Sequence, residues 1–428
     1  MSEAVAIGSV DMMAAPWSGV TLADLFASTV QLASQAQAFA EAPTAKDPGG
    51  RSLTFAAAAA MIEGIVASIE ELGLEPGSPI LVAMPPVIEA PLAILSVLQA
   101  GHIPCLVPVT LEQDDLRDAM ATSLATAAIT AASIGTLRPA DRVRSAASGL
   151  DGPRFVLGFG EGLPAGVIPL DNSMAFGRTS WVRALPSFAT TTPKPILTLG
   201  GRPHDREWMR QDQEGLVASA LQLVLRASMA SGEPILSTLA PCTAASLATG
   251  LVPALLTGGA LHLSGLFSAG RFLDQLASVP RPHLVAPAAL ETALSEAGIT
   301  GSDRVASTLL LHRPPARLDI RDAPRDTRSP VIDGLALGER GLIVARRGAS
   351  GRPALTLGET RVPDEPDGAL VLAARPGRLM QVEVAGAAVG IGVGETPRDG
   401  DTDWYDTGIA LRCDDDGGIC AAFMHGMA

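Results

Sequence analysis

Lysine is nearly missing from this 428-residue chain: only Lys46 and Lys194 occur, and every other strong cation is arginine. A mechanism that needs a lysine therefore has two candidates. Basic charge is short in general, with 31 Lys+Arg against 45 Asp+Glu and a net charge of -14. That acid excess argues against a nucleic-acid binder, whose phosphate contacts need a basic face, and against polybasic attachment to a membrane surface. Aromatic residues make up 4%, with the single tyrosine Tyr405, so a core must be built from Ala, Leu, Val and Ile. The four cysteines, Cys105, Cys242, Cys413 and Cys420, form no C-x-x-C pair and lack the density of a secreted scaffold. They read as reduced thiols of a cytosolic protein. The six histidines, His102, His204, His262, His283, His312 and His425, show no ligand spacing, which speaks against a transition-metal centre. Long hydrophobic runs are absent too: the most apolar stretch, 79–101, is broken by Pro85-Pro86, Glu89 and Pro91. It reads as strand, turn and helix rather than as a bilayer span. No basic n-region precedes an apolar run in the first 17 residues, so the expectation is a cytoplasmic protein without a signal peptide or membrane span.

What is present is an alternation of helix and strand. Apolar residues at Leu22, Leu25, Phe26, Val30 and Leu32 predict a helix from 21 to 40 capped by Thr21. A second helix is expected over 55–72, ended by Gly73, then a strand at 79–84, a helix at 88–100 and a strand at 103–107. Strand, helix, strand is a βαβ unit and implies a parallel sheet. A helix at 111–124 and a strand at 127–131 continue it, whereas 132–195 is poorly periodic and is expected to be a boundary or surface loop. The rhythm resumes with strands at 195–199, 234–239, 260–263 and 283–286 and helices at 213–229, 244–256, 269–277 and 287–297. Beyond Arg313 short β-like runs at 341–345, 369–373, 379–384 and 387–393 suggest a small barrel or meander. The reading is an α/β chain of two parallel-sheet lobes, 1–190 with the N-terminal helices and 191–315, plus a small β-barrel-like lobe, 316–428.

Several segments in this order resemble the AMP-dependent acyl-CoA synthetase, or adenylate-forming, superfamily, which includes peptide-synthetase adenylation domains and luciferases. They are Ser52-Leu-Thr-Phe55, the stretch Leu72-Gly-Leu-Glu-Pro-Gly-Ser-Pro-Ile-Leu-Val-Ala-Met-Pro85, Ala93-Ile-Leu-Ser-Val-Leu-Gln-Ala-Gly-His-Ile-Pro104, and Leu256-Thr-Gly-Gly-Ala-Leu-His-Leu263 followed by Phe267. The resemblance covers about 22–417 and implies the large N-terminal domain of that superfamily. Its activity is AMP-forming activation of a carboxylic acid, as in fatty acid metabolism, with ATP and magnesium.

The superfamily's chemistry sits in motifs that can be compared one by one. Its phosphate loop, T-S-G-T-T-G-x-P-K, cradles phosphates with hydroxyls, backbone N–H groups and a lysine. The corresponding stretch is Thr198-Leu-Gly-Gly-Arg-Pro203, which matches Thr198, Gly200, Gly201 and Pro203 through a shortened loop and lacks the lysine. A tight Gly-Gly turn leaving a buried strand is the structural alternative. Lys194 lies upstream of that strand. The Y-G-x-T-E motif falls on Leu335-Ala-Leu-Gly-Glu339, where only Glu339 survives. Glu339 is the one metal ligand the resemblance implies, and a solvated ion pair with Arg340 is the alternative. The T-G-D motif falls on Trp404-Tyr-Asp-Thr-Gly-Ile409, which keeps Thr407 and Gly408 but has Ile409 in place of the ribose-binding aspartate. Charged hydrogen bonds contribute about 1.5 to 3 kcal/mol each, so losing two would weaken a nucleotide roughly 10^2- to 10^4-fold.

The nucleotide-binding residues implied are thus Thr198, Gly200, Gly201, Glu339 and Thr407, with no catalytic residue assigned. The family's mobile C-terminal lid, bearing its catalytic lysine, follows this region, and the chain ends at Ala428 soon after Asp414-Asp-Asp-Gly-Gly-Ile-Cys420; the lid is expected to be absent. The resulting expectation is a non-catalytic module that holds an acyl group, an acyl-CoA, a carrier-protein segment or a full-length ligase, with ATP and magnesium binding weakened or lost. The alternative is a divergent ligase or acyltransferase completed by a separate lid subunit. A hydrolase or dinucleotide enzyme is disfavoured, because no G-x-S-x-G or G-x-G-x-x-G follows a strand. The segment like His283-Leu-Val-Ala-Pro287, with the helix after it, lies near the acyl site in the family.

Overall fold

The computed structural model describes residues 15–43, 50–151, 154–170, 193–202, 205–318, 327–348, 350–377, 381–395 and 404–424. Lys46, Pro203, His204 and His425 lie outside them, as does part of the expected 379–384 strand.

Local signals place the first elements. The helix Leu22–Ala33 starts at Thr21, whose hydroxyl accepts the Asp24 N–H while the Asp24 carboxylate accepts the Thr21 N–H. It ends earlier than its apolar spacing suggests, and Gln37–Glu41 is a strand instead. Ala-Phe-Ala fits either period, and parallel pairing of Phe39 with Leu261 buries Phe39 under Phe26. Helix Phe55–Glu70, strand Pro79–Ala83, helix Glu89–Gln99 and strand Ile103–Leu106 form the expected βαβ unit, with the two strands parallel. The stretch expected to be a loop carries helix Pro139–Ser148 and strand Phe155–Phe159, so the alternation runs on. Pro139 begins that helix, where its missing N–H costs nothing.

Three sheets result. The first has eight strands in the order Ile391–Gly392, Asp205–Gln211, Ile196–Arg202, Ile103–Leu106, Pro79–Ala83, Ala127–Ala131, Phe155–Phe159 and Ile168–Pro169. Its six strands from Ile196–Arg202 onward are parallel, and the first two are antiparallel additions at one edge. The second also has eight: Leu342–Arg346, Val331–Ala336, Ser307–His312, His283–Pro287, Ile235–Ser237, Leu261–Leu263, Gln37–Glu41 and Ser52–Thr54. All but its two edge strands run parallel. The third is a six-stranded antiparallel sheet from Ala316–Arg317 and the strands between Gly358 and Met424.

Sheets and chain segments therefore interleave. N-terminal strands close one edge of the second sheet, and Val331–Ala336 and Leu342–Arg346, from beyond Arg313, close the other. One core joins the facing sides of the two parallel sheets, with Ile80 and Val82 from the first, Ile235 and Leu261 from the second, and Ile62, Leu92, Leu223 and Leu255 from helices between them. A second core covers the first sheet's outer face under Leu116 and Val143, and a third covers the second sheet's outer face under Phe272 and Leu294. This is a layered α/β architecture with a mostly antiparallel appendage, the organisation expected from the alternation. No helix among the described residues is long and apolar enough to cross a membrane.

Candidate functional site

The second sheet reverses its order at one point. From Ile235–Ser237 the chain passes to Leu261–Leu263 on one side and then jumps back to His283–Pro287 on the other. In open parallel sheets ligands bind beyond the carboxyl ends of strands at such a switch point. A cavity of about 390 Å³ lies there, walled by Thr238, Leu239, Ala240, Ala288, Leu311 and His312, with Cys242, Arg313 and Pro315 at its rim. Each wall is one of the first three residues after a parallel strand, or one of the strand's own last residues.

Beneath this cavity is a buried polar chain. His312 Nε2 stands 2.7 Å from Asp333 Oδ1, across the pairing of His312 with Leu335 in the next strand. Asp333 takes a two-pronged hydrogen bond from Arg347, at 2.6 and 2.7 Å, and Arg347 also donates to Glu291 at 2.6 Å. Burial alone would raise the Asp333 pKa, but Arg347 and His312 together hold it below the usual carboxylate range. His312 is 1% exposed, and its Nδ1 has no hydrogen-bond partner among the described residues.

Beside the cavity stands Glu339, in the turn after Val331–Ala336. Its Oε2 accepts the N–H of Ala244 at 2.7 Å, so the carboxylate satisfies one of the open donors at the start of a helix that runs from Ala244, widens to a π turn at Leu247–Leu251, and ends at Thr257. Burial pushes Glu339 up to about 7; the Ala244 N–H, the Arg313 charge and the Thr198 hydroxyl oppose the rise without cancelling it. Arg313 donates to the hydroxyl of Thr243, which caps the same helix, at 2.9 Å. The ion pair expected between Glu339 and Arg340 does not form. Arg340 instead grips Glu395, with two contacts of 2.8 Å.

The residues expected to bind nucleotide are partly brought together. Thr198 is fully buried and accepts from Gln211 Nε2 at 3.0 Å, and the same Gln211 nitrogen donates to the Glu339 carbonyl at 2.7 Å. Gly200 allows the close approach: a Cβ there would stand 3.4 Å from Glu339 Cγ. Thr407 comes near through Gly338, whose Cβ, if it had one, would be 4.0 Å from the Thr407 carbonyl. Gly201 is exposed.

The local geometry differs from both sequence readings of 198–203. No Gly-Gly turn follows the strand: Thr198, Gly200 and Gly201 lie inside it, paired antiparallel with Met209, Glu207 and Arg206 of Asp205–Gln211. Their backbone groups are committed to a hairpin whose return strand the poor periodicity of Arg-Glu-Trp-Met-Arg concealed. Gly338, at the threonine position of the motif, has φ +61, a conformation a β-branched residue resists. Ile409, at the aspartate position, is buried in the core. Asp406 accepts the N–H of Gly408 at 2.8 Å in a local turn. Thr407 spends its hydroxyl on the Val382 carbonyl at 2.8 Å.

Lys194 lies at the opposite end of the first sheet's parallel strands, where they begin: a Cβ on Gly77 would be 3.4 Å from its Nζ. Glu339 could offer a metal one carboxylate, part of which already accepts from Ala244; among the described residues no three His, Cys, Asp or Glu side chains cluster to complete such a centre. Sequence reasoning missed Gln211, Thr243, Arg313, His312, Asp333, Arg347 and Glu291 as site residues. The last three and His312 carried a usable signal, being charged or polar residues flanking or interrupting apolar runs.

Residues 32–158 match the family model described as AMP-binding enzyme. No curated protein sequence matches the chain. Among solved structures it is similar to a benzoate CoA ligase from Burkholderia xenovorans LB400, with a TM-score of 0.69 at 15% identity over 94% of this chain and 79% of that one. It is also similar to MbtA of Mycobacterium smegmatis, with a TM-score of 0.71 at 16% identity over 96% and 76%. The N-terminal subdomain of Klebsiella oxytoca NpsA, solved with 3-hydroxybenzoyl-AMSN, gives 0.64 at 13% identity over 94% and 99%. These likenesses establish the fold, that of the large domain of adenylate-forming enzymes.

Proposed function

We propose that this chain, with an AMP-binding segment and the large-domain fold of adenylate-forming enzymes, is a non-catalytic acyl-binding module that holds a carboxylic acid or its thioester at the switch point of its second sheet. The observation that carries the reading is the cavity of about 390 Å³ beyond Ile235–Ser237, His283–Pro287 and Ser307–His312. Apolar walls of Leu239, Ala240, Ala288 and Leu311 suit a small acyl body, and Arg313 at the rim supplies a cation for its carboxyl end.

An ATP–magnesium site is not what the neighbouring residues fit. A cradle for phosphates needs a loop of free backbone N–H groups, whereas 198–202 is a strand in antiparallel pairing with Asp205–Gln211, which takes up every second N–H. A ribose needs an acceptor where Ile409 is buried. Magnesium binds an ionised carboxylate, and burial pushes Glu339 up to about 7 while its Oε2 is bonded to a helix N–H. Lys194, the one lysine among the described residues, stands at the far end. No step is therefore routed through nucleotide. The chain's own residues exclude water with the apolar walls, orient a carboxylate at Arg313, and fix the floor of the site through Asp333 and Arg347.

Thermal unfolding with a panel of carboxylic acids and acyl-CoAs, and separately with ATP and magnesium, tests this. At 100 times its Kd a ligand adds about 2.7 kcal/mol, so a true acid or thioester ligand raises the Tm by several degrees while ATP–magnesium leaves it unmoved. Exchange of labelled pyrophosphate into ATP with any carboxylic acid would overturn the non-catalytic reading. A second reading, a divergent AMP-forming ligase or acyltransferase working with a second polypeptide, has in its favour the contact of Thr198 and Glu339. It predicts that exchange activity emerges on adding that partner.

A further inference from the structure

A second recess, sharing no residue with the switch-point cavity, lies where two sheet edges meet the end of a helix. Helix Gln213–Ala227 brings Gln222, Leu225 and Arg226 to it. Leu342–Arg346, an edge strand of the second sheet, ends on Arg346, and Gly358–Val362, an edge strand of the third, brings Arg361 and Val362. With Ser228 and Asp364 these residues line about 290 Å³. Three arginines from three separate elements thus share one small recess, in a chain whose net charge is -14.

Like charges gathered in this way repel one another unless something negative stands between them. The protein supplies little of it. Arg361 is anchored, its Nε donating to Glu359 and its Nη1 to the Gly368 carbonyl, each at 2.8 Å. Arg226 approaches Asp364 only to 3.8 Å, too long for a hydrogen bond, and the Asp364 side chain is 78% exposed. Arg346 is exposed and has no hydrogen bond or ion pair among the described residues. Two guanidinium groups with unspent donors therefore line the recess beside a third that is held in place. An arginine in the last turn suits the negative end of a helix, but that accounts for Arg226 alone. At physiological ionic strength a field decays over about 8 Å, so an anion in the recess responds to these arginines before it responds to the acidic chain as a whole.

From this convergence we infer that the recess binds a small phosphate monoester, with Arg226 and Arg346 taking the phosphoryl oxygens and Arg361, anchored by Glu359, fixing where the group sits. Each guanidinium offers a planar fork of donors, and three forks exceed what the two oxygens of a carboxylate can accept. A phosphate monoester brings a charge of about -1.5 to -2 and three strong acceptor oxygens, which matches them. Leu225 and Val362 give apolar contact for a short carbon body, and Ser228 gives a hydroxyl for its polar substituents. The site is separate from the acyl cavity, so the two readings stand or fall independently.

Calorimetric titration of the full chain at pH 7.5 and low salt tests it, with glycerol 3-phosphate, glucose 6-phosphate, inorganic phosphate, acetate, glycerol and a phosphoserine peptide as probes. At least one of the two sugar or glycerol esters is expected to bind about tenfold or more tighter than acetate, and glycerol not at all. R226M and R346M should each weaken that ester about tenfold or more. R346K, which keeps the charge without the fork, should weaken it less than R346M. R328M removes an exposed arginine elsewhere and should leave binding within about twofold. Arg346 is exposed and unpaired, so its variants put no folding contact at risk. Absence of binding by both esters up to about 10 mM, or equal weakening by R328M and R346M, would overturn the inference. So would inorganic phosphate binding as tightly as either ester, or the phosphoserine peptide binding more tightly than both, which would make the recess a docking point for a phosphorylated protein.

Discussion

Replacing Glu339 by glutamine removes a charge that burial resists, and the consequence can be worked through. The carboxyl group titrates near 4.5 in the unfolded chain and is pushed up to about 7 in the folded one. Between those values the folded state binds more protons than the unfolded state, so stability falls as pH rises. Each pKa unit corresponds to about 1.36 kcal/mol, so the penalty reaches about 3 kcal/mol above pH 7 and vanishes below pH 4.5. Glutamine keeps an oxygen for the Ala244 N–H and carries no charge. E339Q and the parent chain should therefore have similar stability at pH 5, and the variant should be the more stable by up to about 3 kcal/mol at pH 8. Urea unfolding at half-unit steps from pH 5 to 8.5 measures the difference, in which the titrations of all other carboxylates cancel. A difference flat in pH, or a variant less stable than the parent at pH 8, would refute the reasoning. It would mean that Glu339 is held ionised by Arg313 and the helix start more strongly than burial opposes it.

Other outcomes follow from the same structure. R347M takes the guanidinium away from the buried carboxylates of Asp333 and Glu291 and should cost about 3 to 5 kcal/mol in denaturant unfolding, whereas R328M, at a surface pair with Asp303, should cost under about 1 kcal/mol. His262 is buried, and burial lowers its pKa from 6.5 to about 4. Folding therefore favours the neutral ring, so stability should fall as pH drops from 6.5 towards 4, and H262L should lack that fall in acid unfolding curves. G338T, at a position with φ +61, should destabilise the chain by about 1 to 3 kcal/mol and confer no thermal shift with ATP–magnesium.

Legibility in the sequence followed the range of the interactions. Helix Phe55–Glu70, strand Pro79–Ala83 and helix Glu89–Gln99 were readable because Thr54, Gly73 and the Pro85-Pro86 turn mark their ends within a few residues. Three of the four segments that resemble adenylate-forming enzymes fall around that same stretch, within the family match over 32–158. Glu339 could be picked out by motif, but its partner could not. Its carboxylate meets Ala244, 95 residues away in the chain, rather than the adjacent Arg340.

What the amino-acid order determined by itself is the α/β rhythm, the scarcity of lysine and the resemblance of several segments to adenylate-forming enzymes. Periodicity, turn residues and composition are local properties, so they need no knowledge of neighbours in space. The tertiary structure alone decided that 37–41 is a strand, that 198–211 is a hairpin, and that His312, Asp333, Arg347 and Glu291 form one buried chain. Each of these depends on which distant segment covers a backbone or a charge. An Ala-Phe-Ala run becomes a strand when Leu261 offers it a ladder, and the His312 ring is fixed by a carboxylate that an arginine just past another strand holds.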